Sequence, residues 1–258
     1  MSEARPSPRR NYWMLLWQIL LGVALLATWQ GLAATGKLDP FFFSRPSAIG
    51  DRIVQWFRTG SIWPHLGVTI EEAALSFLIG AAAGALSGFV LARVDWAAQL
   101  LDPYIRVLNA LPRVVLAPIF LLWFGLGVWS KVALGVTVVF FIVFFNTLQG
   151  VRDVDRVLIN NARLLGASEW QLARHVLIPS ALTWVFSSLH ISIGFAMIAV
   201  VVGEYLGAAR GVGYLIAQAE GVFDTTGVFA GMAVLSAVVL IVGWGVTRLE
   251  KWLLRWKA

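Results

Sequence analysis

The sequence contains no cysteine, which excludes disulfides, thiolate metal sites and cysteine nucleophiles and leaves the redox compartment open. Charge is scarce too: Asp, Glu, Lys and Arg make up 13% of the 258 residues, against roughly 25% in an average soluble domain. With 59% of the chain apolar, there is too little polar surface to coat a globule of this size, so an ordinary soluble enzyme is excluded and the solvent is lipid. The three histidines, His65, His175 and His190, form no sequence cluster, and neither an HExxH helix nor a hydrolase elbow occurs, so no metal site or catalytic group is expected. The net charge of +6 comes from basic residues interleaved with apolar runs. That pattern records membrane orientation rather than a phosphate-binding face, and no nucleic-acid partner is expected.

Six stretches lack Asp, Glu, Lys and Arg: Asn11 to Gly36, Ala73 to Ala92, Val114 to Ser130, Val132 to Val151, Val176 to Gly203 and Thr225 to Thr247. About 20 helical residues cross a ~30 Å hydrocarbon layer, so each reads as a span, the short third run extending back toward Tyr104. Lipid offers backbone groups no partner, and the alternation of barrel strands is missing, so the expected fold class is all-α integral membrane with about six transmembrane helices. An even number of spans puts both termini on one side. That side holds 14 basic residues, while the other holds six (Lys37, Arg45, Arg52, Arg58, Lys131 and Arg210), which places both termini in the cytoplasm of an inner-membrane protein. The expected organisation is a tail (1–10), a first span (11–36), an outer segment (37–66), a core (67–247) containing a cytoplasmic loop (152–178), and a tail (248–258).

Two motifs are decoys. Gly31-Leu-Ala-Ala-Thr-Gly36-Lys37 has phosphate-loop spacing, but Leu38 replaces the magnesium-binding Ser/Thr and the segment ends an apolar helix. Arg9-Arg10 resembles an export signal, but the run behind it is too long and further spans follow. Pro46 to Gly60, with Ile49, Ile53, Trp56 and Phe57 on one side, reads as an amphipathic surface helix whose apolar face suits lipid or a docking partner alike. Gly80, Gly84 and Gly88 form a small-residue ridge for close helix packing, and Pro112 and Pro118 should kink the third span.

The longest polar insertion, Arg152 to His175, reads as two short helices. Val157, Leu158, Asn161, Leu164 and Leu165 share a stripe; Gly166 ends that helix, and Ser168 caps a second with Gln171 completing a capping box. Leu172 and Val176 continue an apolar face, and Pro179 is expected in the first turn of the next span. On periodicity alone, an interfacial helix on lipid headgroups is the alternative.

Ala162, Gly166, Val176, Ile178 and Pro179 fall at the offsets of a known cytoplasmic signature: Glu-Ala-Ala, three residues, Gly, nine residues, Ile, one residue, Leu-Pro. The chain thereby resembles permeases of ATP-binding-cassette (ABC) importers. Asn160 and Asn161 replace the signature's Glu and Ala. The resemblance is nearest to the nitrate, sulfonate and taurine group, which includes permeases for pyrimidine precursors. It is carried in order by Arg45-Pro-Ser-Ala-Ile, Trp63-Pro-His-Leu, Leu101-Asp-Pro, Trp123-Phe-Gly-Leu-Gly, Ser130-Lys131, Asn146-Thr-Leu, Gly150-Val-Arg, Gly203-Glu204, Gly211-Val-Gly-Tyr-Leu-Ile and Phe223-Asp-Thr. Glu71-Glu72 and Ser76 stand where many relatives have Arg and Gly, so the second span is expected to have an unusual outer end.

The resemblance implies a homodimeric permease, a cytosolic ABC ATPase that binds ATP and Mg, an extracytoplasmic solute-binding protein, and no cofactor on this chain. It places the ATPase contact on Asn160 to Arg174, with Arg163, Glu169 and Arg174 as rim charges and Leu164, Leu165, Trp170 and Leu172 as apolar anchors around Ala162, Gly166, Ala167 and Ser168. For the translocation path, polar groups inside the spans are the candidates: Asn146, Gln149, Ser187, His190 and Glu204. Asn146 and Gln149 serve equally as bonds between neighbouring helices. An ion-coupled carrier would need buried carboxylates, and the central parts of the spans contain none beyond the borderline Glu204; an enzyme would need a nucleophile, an acid–base pair or a metal cluster.

Overall fold

In the computed structural model, residues 12–253 are described, and their regular structure is all helical, with no strand among them. Arg9-Arg10, both terminal tails in large part, and the side chains of the last helical turns lie outside the described residues. The first span, α1 (Tyr12–Ala34), is apolar on all sides, and only Ala33 is buried. It ends where Gly36 turns left-handed, so the phosphate-loop decoy is a helix terminus. A single turn, α2 (Pro40–Phe43), capped by the Asp39 carboxylate, leads to α3 (Pro46–Thr59), the amphipathic helix expected from the sequence. Its Gly60 C-cap has φ +76°.

The core is built on α4 (Trp63–Arg93), which the chain then leaves through the bent third span. That span is α5 (Asp95–Ala110), a short 3-10 turn (Arg113–Leu116) and α6 (Ala117–Phe124). The two arms meet at 86°, so the expected kink is a break. Pro112 keeps Leu111 extended, because its ring disfavours a helical residue before it, and Pro118 starts the second arm. Counting the bent pair once, six elements among the described residues are long and apolar enough to cross a membrane.

Helix α7 (Val128–Arg152) runs parallel to α4, and the glycines show why they approach so closely. A Cβ on Gly80 would lie 2.8 Å from Val139 Cβ; on Gly84, 2.6 Å from the Phe140 carbonyl; on Gly88, 2.6 Å from the Phe144 carbonyl. Small residues at four-residue spacing let the backbones touch, which supplies dispersion energy that lipid cannot match. Beyond the ridge, Ser76 occupies the same face, and Gly135 on α7 makes the room: a Cβ there would sit 2.3 Å from Ser76 Oγ.

After α7, the chain forms α8 (Arg156–Leu164) and α9 (Glu169–Leu172), then a π turn (Ala173–Leu177) into α10 (Ile178–Leu206). The second short helix runs on into the span, so that Glu169–Leu206 is one stretch of 38 residues, and Pro179 is the second residue of α10, in the first turn as expected. The π turn accommodates it: the Ile178 N–H reaches the Ala173 carbonyl, five residues back, just ahead of the residue that has no N–H. Helix α10 runs antiparallel to α7, with Gly150 against Trp184 at one end and Gly203 against Lys131 at the other. A short helix, α11 (Val212–Gly221), and the last span, α12 (Thr225–Leu253), complete the fold.

The surface helix α3 is pinned to the α11–α12 corner by an ion pair between Arg52 and Asp224. Burial alone would raise the Asp224 carboxyl, but the Gly227 N–H and the Arg52 guanidinium outweigh it and hold it below the ordinary aspartate value.

Candidate functional site

The 152–178 loop is a compact knob. The Asp155 carboxylate accepts the Val157 N–H at 2.7 Å and starts α8. Gly166, at φ +83°, reverses the chain, and Ser168 and Gln171 close the expected capping box: Ser168 N–H to Gln171 Oε1 at 2.8 Å and Gln171 N–H to Ser168 Oγ at 3.3 Å. These local bonds satisfy the helix ends without help from the rest of the protein.

The knob has an inner and an outer side. Ile159, Ala162, Leu172 and Val176 pack with Val151, Val154, Leu177 and Ala181 beneath it. Leu164, Leu165 and Trp170 point away from the bundle at 85%, 89% and 69% exposure. Val157, Leu158 and Asn161, on the same stripe, are exposed as well, as are Asn160, Gly166, Ser168 and Arg174, while Ala167 is half-buried. Leu172 is therefore corrected: at 2% exposure it belongs to the core and is no anchor for a partner. The rim charges are also partly engaged, because Glu169 accepts from Arg93 at 2.6 Å and pairs with Arg163 at 3.0 Å, tying the knob to the end of α4. Below the knob, a cavity of about 310 Å³ is edged by Arg93, Arg152, Arg156 and Arg163.

The path candidates do not form one cluster. Ser187 and His190 lie three residues apart on one face of α10 and are exposed on the single chain. Asn146 donates to the Ile142 carbonyl at 2.8 Å and Gln149 to the Asp153 carboxylate at 2.7 Å, so both amides turn back on α7. Glu204 separates from all four: it is 0% exposed, inside the bundle at the end away from the knob.

There it belongs to a buried polar seam whose extent the sequence reading missed. His65, Thr69, Glu72 and Ser76 follow one face of α4 at helical spacing, continuous with the glycine ridge. The His65 ring accepts the Gly211 N–H at 3.2 Å. Thr69 Oγ1 accepts the Val212 N–H at 2.9 Å and donates to Glu204 Oε1 at 2.6 Å, and the Gly213 N–H donates to Glu204 Oε2 at 2.7 Å. Glu204 thus holds the start of α11 directly through the Gly213 N–H, and Thr69 holds the Val212 N–H beside it, as an N-cap does. Glu72, toward the outer end of the second span, is buried as well, at 1% exposure, a second interior carboxyl group outside the central parts of the spans. The signal was there: four polar positions in register with three glycines.

The comparisons agree with this architecture. Residues 77–255 match the model of the family described as binding-protein-dependent transport system inner membrane component. The chain is similar to the putative aliphatic sulfonates transport permease protein SsuC of Bacillus subtilis, 32% identical, covering 98% of this chain and 91% of the relative. It is equally similar to the riboflavin transport system permease protein RibX of Chloroflexus aurantiacus, 32% identical, covering 98% and 97%. Among solved structures, the inward-facing MetNI methionine ABC transporter shares the fold, with a TM-score of 0.60 at 19% identity over 76% of this chain and 95% of that one. Family, fold and knob converge: the chain belongs to the binding-protein-dependent transport system inner membrane components, and it is a permease subunit of an ABC importer, a transport chain rather than an enzyme.

Proposed function

We propose that two copies of this chain form the translocation path for a small sulfonate- or taurine-like anion, driven by a separate ATPase docked on the outward side of the knob. One observation carries the docking surface: in a polar loop, Leu164, Leu165 and Trp170 project away from the bundle around the left-handed Gly166. Burying each leucine is worth ~1.5–3 kcal/mol, and Trp170 beside the pair is of a residue type enriched at interface hot spots. ATP and Mg belong to the partner. The knob and both termini face the cytoplasm on this reading, which the 14 to 6 asymmetry of basic residues supports. The opposite end, with α3 on its surface, then receives the solute-binding protein. The stretch Glu169–Leu206 is one helix, so movement of the ATPases at the knob reaches the far end through a rigid lever.

The double variant Leu164→Asp, Leu165→Asp tests the docking. It should remain inserted yet fail to copurify with the ATPase in mild detergent; undiminished recovery of two ATPase copies per two permeases would overturn the assignment. For the path, Ser187 and His190 are the best placed. His190→Ala should reduce uptake of the anion in reconstituted vesicles, and unaltered uptake would make His190 a packing residue. The second reading is a heterocyclic solute, a pyrimidine precursor included. It is favoured by the riboflavin permease, whose identity to this chain equals that of the sulfonate permease.

A further inference from the structure

Arg113 stands at the break of the third span, where the 3-10 turn between α5 and α6 begins. It is one of the 14 basic residues counted on the cytoplasmic side, yet the structure sets it level with the middle of the bundle. Its guanidinium carbon lies 5.3 Å from the centroid of the Phe141 ring. Phe141 is the fourteenth of the 25 residues of α7, so the cation rests about halfway along a helix of membrane length. Beside it, α7 and α10 form a cleft of about 90 Å³ in which every lining residue except Arg113 is apolar, Leu134, Val138, Phe195 and Ile198 among them.

An arginine keeps its charge, and at this depth a charge is costly unless it is paired or wet. The chain does not pair it. None of the ion pairs among the described residues includes Arg113, and the last carboxylate of α5, Asp102, is taken by Arg106. Of the five N–H donors of Arg113, only those on Nη2 meet an acceptor. Both acceptors belong to Asn109, the side-chain oxygen at 2.6 Å and the main-chain carbonyl at 3.4 Å. Nε is buried with no partner. Capping the end of α5 thus accounts for one side of the guanidinium and leaves its charge unanswered.

The backbone around it points the same way. Irregular backbone at membrane depth is tolerated only where protein buries it or where it lines a cavity. Leu111, Val114 and Val115, on either side of Arg113, are all exposed, so this chain by itself does not cover the break. On α10, Phe195 and Ile198 of the cleft are exposed too, and Ser187 lies three turns nearer the knob than Ile198 on the same face. Arg113 and the path candidates of α10 therefore border one side of the bundle. We propose that Arg113 is the anion contact of the translocation path, its guanidinium meeting the oxygens of a sulfonate or carboxylate as the solute passes the break. This rests on the reading of the solute as an anion that travels between two copies. The planar fork of a guanidinium matches such an oxyanion, which supplies the negative charge that the chain withholds. A single contact also holds the solute weakly enough to let it leave.

The test uses the permease with its ATPase in lipid nanodiscs, ethanesulfonate as the probe and methanesulfonamide as its uncharged control, at matched ionic strength. Ethanesulfonate should raise the melting temperature of the wild-type permease by a few degrees, because a ligand of the native state stabilises it. Arg113→Gln should show no rise, and the sulfonamide should raise neither. Arg113→Lys keeps the charge but loses the fork, so its rise should be present and smaller. In vesicles holding the full importer, ethanesulfonate uptake should fall about tenfold or more in Arg113→Gln and recover in part in Arg113→Lys. A wild type that ethanesulfonate does not stabilise, or an Arg113→Gln variant stabilised as much as the wild type, overturns the proposal. So does undiminished uptake by Arg113→Gln, which would leave the anion reading of the permease intact. Wild-type vesicles that take up no sulfonate, while Arg113 still governs the stabilisation, would instead overturn the choice of solute and uphold the anion contact. If Arg113→Gln does not fold, Arg113→Lys decides: a rise equal to that of the wild type overturns the contact, and a smaller one upholds it.

Discussion

Replacing Gly166 by proline should abolish ATP-driven uptake, to the background of vesicles without ATPase, while leaving the permease inserted and the bundle folded. Three local features conflict with proline at this position. Its ring fixes φ near −65°, whereas Gly166 sits at φ +83°. Its missing N–H removes the bond from Gly166 to the Arg163 carbonyl at 3.0 Å. It also disfavours the helical backbone of the residue before it, and Leu165 is at φ −78°, ψ 5°. The reversal that brings Leu164, Leu165 and Trp170 to the outward side of the knob cannot form, yet the packed residues beneath the knob are untouched. Gly166→Ala separates geometry from bulk. A Cβ there would meet nothing within 4 Å, so only the left-handed conformation is penalised, by ~1–2 kcal/mol, and partial uptake should survive. Uptake by the proline variant equal to wild type, with normal membrane yield, would show that the knob does not transmit the ATPase movement.

A larger effect on the protein itself is expected from Gly84→Val. The added Cβ would lie 2.6 Å from the Phe140 carbonyl oxygen and 3.1 Å from the Phe144 backbone nitrogen, and neither atom can move without displacing α7. Overpacking ordinarily costs ~1–3 kcal/mol, and here the obstacle is a helix backbone instead of an adaptable side chain, so the cost should reach or exceed the top of that range. We expect the variant to be lost from the monodisperse peak in detergent size-exclusion chromatography. The control is Gly22→Ala on lipid-facing α1, where nothing lies within 4 Å and alanine is the better helix former, so melting should be unchanged or raised. Equal melting of Gly84→Val and the wild type would mean that α4 and α7 are not in backbone contact.

The contrast between these two glycines also shows where sequence reasoning succeeds. Gly166 stood at a signature offset between a helical stripe and a capping serine, and local chemistry alone decided its role; the structure adds only the angle. The glycine ridge was legible for the same reason, since a period of four is visible in one strand of text. Leu172 was misjudged because apolar periodicity does not say which of two faces is covered, and the core under the knob includes Val151 and Ala181, residues from outside the loop. The hydrogen bond from Thr69 to Glu204 joins positions 135 residues apart in the chain, so no window along it contains the pair.

The sequence by itself determined that this chain lives in lipid as about six helices, because the scarcity of charge and the length of its apolar runs act at every residue independently of any partner. It also determined the knob's local form, because caps, a left-handed glycine and a proline act within a few residues of themselves. Only the tertiary structure decided which side of the knob is free, how the third span breaks, and that two carboxyl groups and a lysine are sealed in one corner. Those depend on which helix faces meet, and a face is chosen by the sum of close packing against neighbours distant in the chain rather than by the residues of the helix alone.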